Sequence, residues 1–243
     1  MSTIKGARER ARIEVTAAIK DEARKQLAAE GAAKLSLRAV ARELGMVSSA
    51  LYRYFPSRDD LLTALIVDAY DAVGEAAESA VAEGDGPPRP DTARWTTVAC
   101  AVRDWALARP HEYALIYGSP VPGYTAPQDT VGPASRVGQV LIDLVRDAHR
   151  AEGLAVPVLD PGLRPEAARI AADLAPDLPP AVVAALVAAW AQLFGLISFE
   201  LFGQFNRVVE AREQLFRHAA RELGRSVGLL DGRVPAGAGG PGA

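Results

Sequence analysis

Small hydroxyls, phenols and guanidinium groups are concentrated in one stretch of the chain, residues 35–65. Hydroxyls and phenols can donate hydrogen bonds to phosphate oxygens, and guanidiniums pair with phosphates or with base edges. This combination favours contact with a nucleic acid. The side chains predicted to make these contacts are Ser36, Arg38, Ser48, Ser49, Tyr52, Arg53, Tyr54 and Arg58. Tyr52 is the strongest candidate, because an exposed phenol between a serine pair and Arg58 has little structural purpose without a phosphate.

The charge distribution supports this interpretation only in the first quarter of the chain. A formal net charge of -3 argues by itself against a nucleic-acid partner. Residues 1–60, however, carry 12 basic and 8 acidic side chains, whereas the remaining residues carry 15 and 22. The basic part therefore coincides with the candidate contacts. Arg38 and Arg53 could also be ordinary solvated charges.

Two predicted helices precede most of these residues. Apolar residues recur at four-residue spacing from Val15 to Leu27, which predicts a helix over about residues 7–30 with Gly31 as its stop. Ser36 is placed to cap a short second helix by accepting a hydrogen bond from an unpaired backbone N–H. Gly45 is expected to end that helix, because glycine enters the left-handed conformation without steric cost.

A third short helix, over residues 47–54, would carry most of the candidate contacts. Leu51 and Phe55 are expected to pack it against the core, and Pro56 prevents its continuation. Residues 57–60, Ser-Arg-Asp-Asp, match a capping box and open a long fourth helix that reaches about Val81. Two short helices joined by a glycine turn form the unit that places its second helix in a major groove of DNA.

This segment resembles the DNA-binding domain of the TetR (tetracycline repressor) family. The matching residues are Leu37-Arg38-x-Val40-Ala41-x-x-Leu44-Gly45 and Leu51-Tyr52-x-x-Phe55-Pro56-Ser57-Arg58-x-x-Leu61. By this resemblance Ser36, Tyr52 and Arg58 would hold phosphates. The resemblance also implies a repressor that binds double-stranded operator DNA as a homodimer and is released by a small-molecule effector.

Two residues depart from the family pattern. Tyr54 stands where the family usually has histidine, and its phenol can still donate to a phosphate. Val47 replaces the serine or threonine often found at the start of the recognition helix, so a weak cap is expected. The short reading face, Ser48-Ser49-Ala50, predicts few bidentate base contacts and a share of water-mediated or shape readout.

The rest of the chain is also predicted to be helical, which makes the fold class all-α. Alanine- and leucine-rich runs broken by glycine and proline predict helices near 92–108, 110–117, 134–151, 165–174, 180–204 and 207–226. Residues 83–91 and 118–133 are predicted loops. The expected domains are a three-helix helix-turn-helix DNA-binding domain over 1–57, a helical effector-binding and dimerisation domain over 58–227, and a disordered tail over 228–243.

Aromatic residues beyond the DNA-binding segment are candidates for an effector pocket. Such residues are more often core, but alanine-rich helices leave gaps that aromatic rings can line. Residues 103–127 and 189–205 also resemble an actinobacterial subgroup of these regulators, in which Phe194 replaces a usual histidine. The resemblance favours a pocket, and the replacement favours an apolar or aromatic effector. The candidate lining residues are Trp105, Tyr113, Tyr117, Trp190 and Phe194.

The apolar helix predicted over 180–204 is rich in small residues that permit close helix approach. Together with the helix that follows, it could form a four-helix bundle between two copies. The candidate interface residues are Ala188, Ala191, Gly195, Phe199 and Phe202. Residues 181–199 leave one alternative open, an all-helical membrane-associated protein. The many alanines and the lack of a flanking Lys/Arg cluster argue against it.

No motif in the sequence indicates an enzyme. His111, His149 and His218 have no other ligand type at metal spacing, and the single cysteine, Cys100, lies in an alanine–valine run. A phosphate-binding glycine loop, a serine elbow and a paired-carboxylate motif are all missing from the sequence. Neither a cofactor nor a metal ion is therefore expected. The charged N-terminus lacks a secretory apolar stretch, which favours a cytoplasmic location.

Overall fold

The computed structural model describes residues 2–82 and 91–231, with side chains from residue 6 onward. Within these residues the chain forms ten α-helices, three short 3-10 helices and no strand, which confirms the all-α class. The helices are α1 (Ser2–Glu30), α2 (Leu37–Glu43), α3 (Ser48–Leu51), α4 (Arg58–Ala82), α5 (Asp91–Ala108), α6 (Pro110–Tyr117), α7 (Val131–Arg150), α8 (Arg164–Leu174), α9 (Pro180–Leu201) and α10 (Arg212–Val227). The predicted loop over 83–91 falls almost entirely outside the described residues.

The chain divides into two compact units. The first unit contains residues 1–72 and 108–134, and the second contains residues 73–107 and 135–243. Helix α4 contributes to both units. The predicted boundary after residue 57 lies inside the first unit, and the assignment of separate functions to the predicted domains stays a prediction.

The first unit has a core at the positions that the helical spacing predicted. Its fully or nearly buried side chains include Ile19, Ala23, Leu27, Val40, Leu51, Phe55, Leu61 and Leu65. The loop before α7 packs on this core through Val121 and Tyr124, and the Tyr124 hydroxyl lies 2.9 Å from Thr63 Oγ1. That loop is therefore held by specific contacts.

The second unit packs α9 against both α8 and α10. The inner faces of α9 and α10 bury Val182, Leu186, Leu193, Ile197, Phe216 and Leu223. Trp95 of α5 is fully buried, and its indole nitrogen donates to the Ala220 carbonyl at 2.9 Å. Within the described part of the chain, α9 alone is long and apolar enough to cross a membrane by length and composition.

A buried ion pair joins α5 to the last turn of α9. Arg103 Nε lies 2.8 Å from Glu200 Oε2, and Arg103 Nη2 lies 2.6 Å from Glu200 Oε1. These hydrogen bonds raise the pKa of the Arg103 guanidinium, which also lies over the Phe216 ring at 5.6 Å. Such a two-bond pair fixes the angle between the helices, and either charge alone would be costly to bury.

Several helix ends differ from the predicted positions. Helices α1 and α7 begin earlier than predicted, at Ser2 and Val131, and α3 ends at Leu51 and not at residue 54. Helix α9 ends at Leu201 and α10 begins at Arg212, whereas the sequence predicted 204 and 207. Gly203 and Arg207 between them adopt left-handed φ angles of 83° and 62°. Left-handed residues interrupt a right-handed helix. Because an arginine rarely adopts this conformation, the residue type at position 207 did not indicate the interruption.

The predicted tail begins with residues that are packed in the structure. Leu229 is buried and forms an antiparallel bridge with Leu154. Asp231 accepts hydrogen bonds from Thr92 and Arg225. Residues 228–231 therefore belong to the second unit and not to a disordered segment. The remainder of the predicted tail, 232–243, lies outside the described residues.

Candidate DNA-binding surface

Local hydrogen bonds fix both ends of α2. Ser36 Oγ accepts a hydrogen bond from the Ala39 backbone N–H at 3.4 Å, as its predicted capping role requires. Gly45 adopts a φ of 64°, and the Met46 N–H donates to the Ala41 carbonyl at 2.8 Å. This bond pattern is the Schellman ending of a helix, which needs a left-handed residue at the position of Gly45.

Helix α3 has two opposite faces. Leu51 and Phe55 point into the core with 1% and 6% of their surfaces exposed. No side chain caps the helix start at Val47, in agreement with the weak cap that was predicted there. The other face carries Ser48, Ser49 and Tyr52, all exposed, and Tyr52 keeps 41% of its surface accessible. Core packing thus presents a small polar face to solvent.

Five of the eight predicted DNA contacts are exposed. These residues are Arg38, Ser48, Ser49, Tyr52 and Arg53. Ser36 and Tyr54 are half-buried, and the Tyr54 ring packs against the core of the first unit. Among the residues that the structure describes, the guanidiniums of Arg38 and Arg53 have neither an ion-pair partner nor a hydrogen-bond partner. Both are therefore available to an external anion.

Arg58 is bound internally. Its Nη2 atom donates to the Ala32 carbonyl at 2.8 Å and to the Ala33 carbonyl at 3.3 Å, and its Nη1 atom lies 3.3 Å from Asp59. The side chain thus connects the start of α4 to the short 3-10 helix after α1. Its contact with a phosphate stays a prediction, and the geometry supports a bracing role more directly.

Sequence reasoning did not single out two further arginines beside α3. Arg8 and Arg12 of α1 line a groove together with Arg53 and Tyr54. The available signal was the alternation of arginines at positions 8, 10 and 12, which places two of the three on one helix face.

The candidate effector residues fall into separate groups. In the first unit, the rings of Tyr113 and Tyr117 lie 5.1 Å apart, and burial raises the pKa of the Tyr117 phenol. In the second unit, the Trp190 and Phe194 rings lie 5.6 Å apart. Trp105 is also buried there, and its Nε1 atom has no hydrogen-bond partner among the described residues. The five residues are thus divided between the two units.

The candidate dimer residues share one exposed face of α9. Ala188, Ala191 and Gly195 are exposed, and a Cβ atom added at Gly195 would meet no atom within 4 Å. Phe199 and Phe202 continue this face with 53% and 47% of their surfaces exposed. The three- and four-residue spacing forms one stripe along the helix, opposite the buried side.

Two family profiles match the chain. "Bacterial regulatory proteins, tetR family" matches residues 19–65, and "Tetracyclin repressor-like, C-terminal domain" matches residues 95–223. The chain is also 42% identical over 212 residues to the HTH-type transcriptional regulator Rv1816 of Mycobacterium tuberculosis (strain ATCC 25618 / H37Rv), covering 82% of this chain and 86% of that relative.

Two solved structures have a similar fold. The protein SCO4313 aligns with a TM-score of 0.73 and 35% identity, over 88% of this chain and 97% of that one. A protein of unknown function from Rhodococcus sp. RHA1 aligns with a TM-score of 0.66 and 23% identity, over 86% and 93%. The similarity therefore extends over both the N-terminal and the C-terminal parts of the chain.

The internal contacts of Arg58 predict a difference from its neighbour Arg53. We expect Arg58→Ala to lower the free energy of unfolding by about 1–3 kcal/mol, because two carbonyls lose a charged donor. The matched variant Arg53→Ala should change it by no more than about 0.5 kcal/mol. Urea unfolding followed by circular dichroism, at one fixed protein concentration, measures both. Equal effects of the two variants would show that the Arg58 contacts do not brace the fold.

Proposed function

The chain belongs to the TetR family of bacterial transcriptional regulators, and we propose that it is a cytoplasmic repressor which binds a palindromic operator as a homodimer and is released by a small apolar or aromatic effector. It is a regulator and not an enzyme. Proteins of this family bind operator DNA and act as dimers. The observation that carries the proposal is the exposed polar face of α3, held outward by Leu51 and Phe55.

In the proposed complex, α3 enters the major groove with Ser48 and Ser49 toward the base edges. Both side chains are short, so water-mediated contacts and duplex shape would contribute to sequence preference. Tyr52, Arg38 and Arg53 would hold phosphates on either side of the groove, because all three side chains are exposed and none has a hydrogen-bond or ion-pair partner among the described residues. The Ser36 hydroxyl accepts one bond in its cap and retains a proton that it can donate to a phosphate.

Variants of Tyr52 and Arg38 test the DNA contact. Tyr52→Phe removes only a hydroxyl and should weaken operator binding roughly tenfold. Arg38→Ala should lower the salt slope of binding by about 1, because one phosphate loses its cation. Fluorescence anisotropy with a labelled operator duplex at several potassium chloride concentrations gives both values. The control is Arg169→Ala, which removes an exposed arginine from α8 of the second unit. Loss of binding by the control alone, or by none of the variants, would contradict the proposed surface.

The proposed homodimer pairs the exposed stripe of α9 with the same stripe of a second copy. Alanine and glycine at its centre would let the two backbones approach closely, and the phenylalanines at one end would gain burial. The membrane alternative is not favoured, because the other face of α9 already packs against α8 and α10 and because the family binds DNA. The two helix-turn-helix units of a symmetric dimer would match operator half-sites about 34 Å apart or a multiple of that distance.

A charge in the middle of the stripe should break the dimer. We expect Ala191→Arg to raise the dimer dissociation constant by about 100-fold or more, since two like charges would be buried together. Ala172→Arg, on an exposed position of α8, is the matched control and should remain dimeric. Sedimentation velocity measures the association, and circular dichroism verifies the fold. A dimeric Ala191→Arg protein would place the interface elsewhere.

The proposed effector site lies in the C-terminal part of the chain and includes Trp105. A buried N–H without a partner costs about 1–3 kcal/mol, and a ligand that offers an acceptor would remove this cost. The effector would thus be mainly apolar with at least one carbonyl or hydroxyl oxygen.

Effector binding would also explain release from DNA. It would favour a conformation in which α4, which contributes to both units, moves the two helix-turn-helix units of the dimer out of register with successive grooves.

A pair of tryptophan variants tests this site. A panel of aromatic ketones and of aromatic hydrocarbons of matched size serves as the probe, with the melting temperature as the readout. We expect the ketones to raise the melting temperature of the wild-type protein more than the hydrocarbons do, and Trp105→Phe to abolish this preference. Trp95→Phe is the control, because the Trp95 indole already donates to Ala220. An unchanged preference in Trp105→Phe would remove Trp105 from the proposed site.

A further inference from the structure

A groove lies between the amino-terminal part of α1 and the turn that follows α3. It opens to solvent and has a volume of about 520 Å³. The lining residues are Arg8, Ala11, Arg12, Val15, Met46, Ala50, Arg53 and Tyr54. We call it the α1–α3 groove. Its walls carry three guanidiniums, one phenol and no carboxylate, so its chemistry fits an anion.

The three arginines of the α1–α3 groove differ from the other arginines of the protein in their surroundings. Within the described part of the chain, no carboxylate forms an ion pair or hydrogen bond with Arg8, Arg12 or Arg53. Several other arginines are paired with carboxylates. Arg24 pairs with Asp68 at 2.6 Å, and Arg136 pairs with Glu78 at 2.7 Å. Three uncompensated positive charges around one groove repel each other until an external anion joins them.

The part of α1 that carries Arg8 and Arg12 precedes the family's DNA-binding profile. That profile begins at residue 19, whereas α1 begins at Ser2. The extension is roughly 25 Å long at the usual helical rise. Residues 1–18 contain four basic and two acidic side chains. The extension is thus a basic helical arm beside α3, added to the part of the fold that the profile describes.

The spacing of the arm suits a DNA strand. Arg8 and Arg12 are one turn apart, about 6 Å along the helix axis. A duplex strand carries one phosphate per about 3.4 Å of its axis, so the two long side chains can reach neighbouring phosphates. Val15, Met46 and Ala50 give the groove an apolar floor that can contact sugars. Arg53 and Tyr54 border both the α1–α3 groove and α3. A DNA strand in the α1–α3 groove would therefore be continuous with the strand that passes beside α3.

We propose that the α1–α3 groove receives the phosphate backbone of the duplex flanking the half-site, with Arg8 and Arg12 each pairing with a phosphate. The contact rests on the proposed function and extends it, because the arm would lengthen the DNA site beyond the base pairs that α3 reads. Backbone pairing carries no sequence information. The contribution of the arm should therefore be the same on operator and on random duplexes.

Three single variants with the same charge change test the proposal. Arg8→Ala and Arg12→Ala should each lower the salt slope of binding by about 0.9, and the double variant by about 1.8. Arg10→Ala is the matched control, since Arg10 is exposed on the same helix but does not line the groove. Its salt slope should equal that of the wild-type protein. The probes are an operator duplex found by footprinting and a random duplex of equal length, titrated in potassium chloride.

The possible outcomes separate the arm from the reading helix. Equal losses for all three single variants would indicate a general charge effect and would overturn the groove contact. Unaltered slopes for Arg8→Ala and Arg12→Ala, with weakened operator binding by Tyr52→Phe, would overturn the groove contact and leave the proposed function intact. A loss seen only with A·T-rich flanks would indicate minor-groove reading and would likewise refute backbone pairing. If the wild-type protein binds neither duplex, the proposed function itself is wrong. All three positions are exposed, so unchanged thermal melting is expected for each variant.

Discussion

A helix of four residues has no stability of its own, because nucleating a helix costs more than its few hydrogen bonds return. Helix α3 exists in this protein because Leu51 and Phe55 are buried in the core of the first unit. Each of these side chains contributes on the order of 1.5–3 kcal/mol through burial. The same anchoring decides which face of the helix is left for DNA. The candidate reading surface is therefore a consequence of core packing.

The features around α3 that sequence could predict are local ones. The cap at Ser36, the left-handed turn at Gly45 and the capping box at Ser57 each depend on residues within five positions of one another. Residue type and spacing are enough to indicate such contacts. The bond from Arg58 to the Ala32 carbonyl spans 26 residues. Residue spacing cannot indicate a hydrogen bond over this distance. From the sequence alone, the guanidinium of an arginine in a DNA-binding segment is therefore expected to be free to bind a phosphate.

In the second unit, too, local features were predictable and contacts between distant residues were not. Proline at the starts of α6, α8 and α9 marked their first turns correctly, because the missing N–H costs nothing there. The burial of Leu229 beside Leu154 was not foreseen, since a glycine- and proline-rich tail follows it and the partner lies in a distant loop. Likewise Glu200 looked like the polar end of an apolar run, and its buried partner Arg103 lies 97 residues away.

The end of α9 places side chains contrary to their hydrophobicity. Glu200 is buried against Arg103, whereas the adjacent Phe199 leaves 53% of its surface in solvent. If the outer face of α9 met only solvent, the helix would be more stable with the phenyl ring inside and the carboxylate outside. The proposed second copy on the outer face would account for the arrangement, because it would cover Phe199 and Phe202. Lipid would cover the rings equally well, but it gains little from Ala188, Ala191 and Gly195, whereas an opposing helix gains close contact from them.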